Sequence, residues 1–123
     1  MPASRFDAGV RRQGGGVAVA DLAGEIDAGA EESLNGAYTK AAEGGAETIL
    51  LNFSGVDYIN STGIALIVGI LARARKEGRA ITACGLADHY REIFEITRLS
   101  DFMQIFPDEA SAVGDAVPGT TRR

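Results

Sequence analysis

Apolar residues along this chain alternate between short runs and longer stretches with helical spacing, and glycines mark most of the changes of rhythm. Met1–Val10 supplies a short edge strand, and Arg11–Gly16, ending in Gly14-Gly15-Gly16, reads as a flexible hairpin connection. Val17–Ala23 alternates loosely as a strand that Gly24 breaks. Asp27 is placed to cap a helix over about Ala28–Glu43, with Glu31 and Glu32 in its early turns and Gly44-Gly45 at its end. Glu47–Phe53 is a strand whose continuously apolar Thr48-Ile49-Leu50-Leu51 suits burial on both faces of a parallel sheet; a short turn then leads into Asn60-Ser61-Thr62-Gly63.

The apolar helix that follows carries Ile64, Ile67, Val68 and Leu71 at helical spacing, with Leu66 and Ile70 widening the stripe, and Gly78 stops it. Ala80–Cys84 is a further strand and Gly85 a break. Ala87–Thr97 is a helix with Tyr90, Ile93, Phe94 and Thr97 along one side. A short strand near Met103–Phe106, a helix start at Pro107-Asp108 and a last helix to about Ala116 complete a domain over residues 1–116, leaving 117–123 as a flexible tail. The prediction is an α/β fold, with a mixed sheet of four to five strands and about four helices. Right-handed crossovers place the loops Gly24–Asp27, Val56–Gly63 and Gly85–Asp88 at one end of the sheet, so Asp27 and Ser61 approach each other across 34 positions of sequence.

Composition narrows the chemistry. With 46% hydrophobic and 24% charged residues the chain has the balance of a globular protein, and the apolar stretch Gly63–Ala72 is too short to span a bilayer. No charged-then-apolar leader opens the chain, which predicts a cytoplasmic protein without membrane insertion. Seventeen acidic residues against 12 basic ones give a net charge of −5, a field that repels nucleic acid. The clustered Arg73, Arg75, Lys76 and Arg79 read as a helix end. One cysteine, Cys84, and one histidine, His89, are too few for a disulfide or a zinc site, and no metal or cofactor is expected.

The junction Asn60–Gly63 draws attention because its hydroxyls sit at a helix N-terminus. The first backbone N–H groups of a helix have no intrahelical partner and carry the positive end of the dipole, so Ser61 or Thr62 there can carry or bind a phosphate. The same tetrapeptide also serves as an ordinary N-cap.

Two segments bear a family resemblance. Leu22-Ala23-Gly24-Glu25-Ile26-Asp27, and Leu51-Asn52-Phe53-Ser54-Gly55-Val56-Asp57-Tyr58-Ile59-Asn60-Ser61-Thr62-Gly63-Ile64, resemble in order and spacing the segments of STAS domains of bacterial anti-sigma factor antagonists. Ile81–Ile105, with its Leu99-Ser100-Asp101-Phe102 turn, resembles the second half of that family, so the likeness covers Val17–Phe106 and more loosely reaches Ala116. The resemblance implies a non-enzymatic binding protein switched by phosphorylation. Its partners would be an anti-sigma factor with serine kinase activity, released when Ser61 is phosphorylated, and a serine phosphatase that reverses the modification. Thr62 would be the fallback acceptor, and Asp27, Asn60, Ser61, Thr62, Gly63 and Ile64 the partner-binding residues. The chain departs from the family at Asn60, where an acid is usual. Asn still caps a helix but supplies no carboxylate for metal-assisted chemistry.

Two other readings are open. STAS domains also resemble subunits of lipid-transport and stress-sensing complexes, where the same turn docks a partner without a phosphorylation cycle. A serine hydrolase is disfavoured, because Gly-x-Ser-x-Gly is absent and His89 lies in a different helix.

Overall fold

The computed structural model describes residues 5–116. The expected tail, 117–123, and the first residues of the expected edge strand lie outside that range. The elements are β1 (Phe6–Gly14), β2 (Val17–Ile26), α1 (Glu31–Glu43), β3 (Thr48–Ile59), α2 (Ser61–Glu77), β4 (Ala80–Cys84), α3 (Asp88–Ile96), β5 (Gln104–Phe106) and α4 (Glu109–Ala116). Single 3-10 turns occupy Ala28–Ala30 and Leu99–Asp101.

The five strands lie side by side in chain order, with β1 antiparallel to β2 and the others parallel. Each crossover from β2 to β5 therefore steps one strand in the same direction, and a common right hand puts α1, α2 and α3 on one face. Side chains alternate accordingly. Ala18, Ala20, Ile49, Leu51, Phe53, Ile81 and Ala83 join the core beneath these helices, where Phe53 meets Phe94 edge-on at 5.9 Å between ring centroids. Val19, Leu50 and Cys84 face the other way and pack with Ala112 of α4. Burial on both faces is why these strands read as unbroken apolar runs.

Three boundaries differ from expectation. Arg11–Gly14 continues β1 as a strand rather than a hairpin loop, because its charged side chains project from an edge strand; Arg11 pairs with Asp21 on β2 and with Glu109 on α4. Gly24 does not end β2. It adopts φ +99° inside the strand, and a Cβ there would lie 1.8 Å from the Arg5 carbonyl oxygen, so glycine allows the start of β1 to approach the end of β2 closely. The expected turn after Phe53 is strand as well. β3 runs on to Ile59 by pairing with the continued β2, and irregularities between Asp21 and Ala23 and between Gly24 and Glu25 absorb the register change.

The basic cluster sits where expected, at the end of α2, and joins neighbouring elements. Arg73 covers the Tyr38 ring at 4.4 Å, and Arg79 donates to the Ala46 carbonyl. No helix among the described residues is long and apolar enough to cross a membrane.

Candidate functional site

β3 passes into α2 through one extended residue, Asn60 (φ −97°, ψ −176°). Its side-chain oxygen accepts a hydrogen bond from the Gly63 N–H at 2.8 Å, and its own N–H donates to the Ile26 carbonyl at 3.2 Å. The residue thus caps α2 and ties the end of β3 to the end of β2. Asp27, immediately after β2, accepts from the Gly29 N–H at 2.9 Å and caps the 3-10 turn that leads to α1. Expectation placed Asp27 before one continuous helix over Ala28–Glu43. The chain instead makes a tight 3-10 turn first, then α1 from Glu31.

The expected site residues fall into two groups. Ser61 and Thr62 are exposed on the opening turn of α2, while Asp27 and Asn60 are half-buried and border one shallow cleft of about 470 Å³. Gly63 and Ile64 turn toward the protein. Gly63 is buried against Ile26, and Ile64 is half-buried against the core, so Ile64 offers only part of its side chain to a partner. Asp27 comes to the cleft with Asn60, whereas Ser61 is not among its lining residues and is joined to it only through its sequence neighbour Asn60.

Residues not singled out by sequence also shape this end. Arg5 and Glu25 line the same cleft and form an ion pair at 3.6 Å. Arg5 reaches it because Glu25 N–H binds the Arg5 carbonyl at 3.0 Å across the β1–β2 edge. Tyr58 is 48% exposed, two positions before Asn60, and is a large aromatic surface beside the helix start. Tyr90 of α3 accepts a hydrogen bond from the Ile59 N–H at 3.1 Å, steadying the last strand residue before the cap. A hydrogen bond between a backbone N–H and a hydroxyl that far apart in sequence leaves no local signal, and Tyr58 lies in a segment expected as a turn.

Electrostatically, the opening turn of α2 contains no acidic residue of its own to offset its unpaired N–H groups and dipole, while Glu25 and Asp27 line the cleft at Asn60. His89 is exposed, edge-on to Tyr90 at 5.0 Å, and belongs to α3 rather than to this turn. Among the described residues no cluster of His, Cys, Asp and Glu has metal-ligand geometry.

Comparison with known proteins follows the same outline. The STAS domain family matches residues 10–112. The anti-sigma-B factor antagonist of Staphylococcus aureus is 31% identical over 84 residues, which cover 68% of this chain and 78% of that protein. An anti-sigma factor antagonist from Mycobacterium paratuberculosis superposes with a TM-score of 0.77 at 19% identity, over 90% of this chain and 93% of that one. The Bacillus cell fate determinant SpoIIAA in the phosphorylated form gives 0.68 at 21% identity, over 88% and 97%. The two structural likenesses speak for the fold. Together with the matched family and the sequence relative, they establish that the chain belongs to the STAS domain family of anti-sigma factor antagonists.

Proposed function

We propose that this protein is an anti-sigma factor antagonist that captures a cognate anti-sigma factor with serine kinase activity, and that phosphorylation of Ser61 ends the capture. A serine phosphatase restores the binding form. The observation that carries this reading is the position of Ser61: exposed, first in an Asn60-capped helix, and next in sequence to Asn60, which lines a cleft together with Asp27. A kinase can reach such a hydroxyl without unfolding anything.

The physical argument concerns the interface rather than the fold. Phosphate adds about −1.5 to −2 charge, and the unpaired N–H groups of the first turn suit an anion, so α2 tolerates the modification. A partner pressed onto Ser61, Thr62 and the exposed Tyr58 must desolvate that charge beside Glu25 and Asp27. Burying an uncompensated charge costs several kcal/mol, and about 3 kcal/mol is already about a hundredfold in affinity. Asn60, neutral where the family usually carries an acid, leaves one fewer negative charge beside the phosphate.

Titrating Ser61→Ala and Ser61→Asp variants with the cognate anti-sigma factor tests the switch; equal affinity for the two counts against it. Incubating the wild-type chain with that kinase and ATP, followed by mass spectrometry, assigns the phosphate to Ser61 or Thr62. Tight binding with no phosphate on either residue would instead support a docking subunit of a lipid-transport or stress-sensing complex.

A further inference from the structure

At the other end of α2 the protein holds a second, larger cleft of about 790 Å³. Its floor and walls are Val68 and Ala72 of α2, Ile81 of β4, and Leu99, Phe102 and Met103 from the segment joining α3 to β5. The topology creates it: β5 pairs only with Thr82–Cys84, so the beginning of β4, paired with β3 on one side, has no strand on its outer edge, and the segment around Leu99–Asp101 lines the gap. Volume and apolar lining are those of a site for a small organic ligand. Val68 and Phe102 are large apolar side chains left 45% and 59% exposed at this cleft.

Charge selects the class of ligand. In a chain of net charge −5, this lining carries three arginines, Arg75, Arg79 and Arg98, against one acid, Asp101. Arg98 is held by Asp101 at 2.7 Å, and Arg79 by Glu77 and the Ala46 carbonyl. Arg75 pairs with no carboxylate among the described residues; its guanidinium lies 5.7 Å from the centre of the Phe102 ring. One cation is therefore left to meet one negative charge at the edge of an apolar cleft. Arg98 is also the sole non-glycine residue among those described with a left-handed backbone (φ 68°), a strained conformation that here places a cation in the lining.

We propose that this cleft binds a small amphiphilic anion, an apolar chain ending in a single carboxylate, with the chain against Val68, Leu99 and Met103 and the head on Arg75. The site does not include the Ser61 turn: along α2, Val68 lies seven residues or about 10 Å beyond Ser61 and Arg75 fourteen residues or about 21 Å. It therefore stands or falls independently of the phosphorylation switch.

Decanoate, kept below its micelle-forming concentration and followed by two-dimensional amide NMR on the full chain, is the direct probe. Saturable shifts at Val68, Leu99 and Met103 are expected, with decanol and decyltrimethylammonium each binding at least about tenfold more weakly. Arg75→Gln, an exposed substitution, should bring decanoate down to the affinity of decanol. Ala72→Phe, which fills the cleft from an exposed helix position, should abolish binding of both. Shifts that do not saturate, saturable shifts confined to other surfaces, equal affinity of the wild-type chain for decanoate and decanol, or an Arg75→Gln variant that still prefers decanoate would each overturn the proposal.

Discussion

Gly63 lies so close to Ile26 that a Cβ on it would stand 1.9 Å from the Ile26 carbonyl oxygen. That carbonyl already accepts the Asn60 N–H, so it cannot move aside without loosening the joint between β2 and β3. Gly63→Ala should therefore destabilise the fold by about 2 kcal/mol or more, the usual scale of an overpacked site. Urea denaturation should show a lower midpoint with an unchanged slope. A variant as stable as the wild type would mean that the contact is looser than described.

The cap itself can be tested alone. Asn60→Ala removes the acceptor of the Gly63 N–H and should cost about 1 kcal/mol, whereas Asn60→Asp keeps an acceptor and adds a charge favoured at a helix start. Chemical denaturation at neutral pH should rank the aspartate variant level with or above the wild type and the alanine variant below it.

At the proposed switch, Ser61→Asp should weaken binding to the cognate anti-sigma factor by at least about tenfold relative to Ser61→Ala, as read by calorimetry. Both variants should unfold at the same denaturant concentration as the wild type within about 0.5 kcal/mol, since position 61 is exposed. Lost binding accompanied by lost stability would point to misfolding instead.

The attachment of α4 should respond to acid. Hydrogen bonds from Arg11 hold the carboxyl groups of both Asp21 and Glu109 below their usual range, and Asn52 adds a further donor to Asp21. Carboxylates whose folded-state pKa is depressed contribute stability that is complete above their unfolded value of about 4 and is lost as pH falls through the folded value. Unfolding midpoints measured from neutral pH downward should drop below about pH 4. In Arg11→Met that drop should be shallower, because the two acids then titrate nearer their ordinary range.

Cys84 offers a probe of opening on the same face. Burial first, and then the nearby acids Glu109, Asp108 and Asp21, push its thiol up to about 11. The native protein should resist a thiol reagent at neutral pH, and labelling should track unfolding as denaturant is added. Rapid labelling of the native chain would show that α4 lifts off its face.

Local pattern carried much of this architecture. Ala80–Cys84 was legible to the residue because a short, mostly apolar run lies between breaks at Gly78 and Gly85, and the left-handed Gly78 ends α2 as expected. The apolar helix pattern beginning at Ile64 placed Ser61 at a helix start, and Asn60 is its cap. β3 was misjudged because Ser54-Gly55-Val56-Asp57 has turn chemistry, yet pairing with the irregular end of β2 overrides it. Arg11–Gly14 misled for a related reason: charged residues that look loop-like are satisfied by partners on β2 and, almost a hundred positions away, on α4. The contributions of Arg5, Glu25 and Tyr90 to the cleft and its strand depend on chain crossings that no short window contains.

An amide at position 60 has one more effect. It neither gains nor loses a proton around neutrality, and the opening turn of α2 holds no acid of its own, so modest swings in cellular acidity leave the charge of that turn untouched. Whatever alters it must be put there covalently or brought by another molecule, which keeps the junction deaf to one kind of noise while open to a deliberate signal.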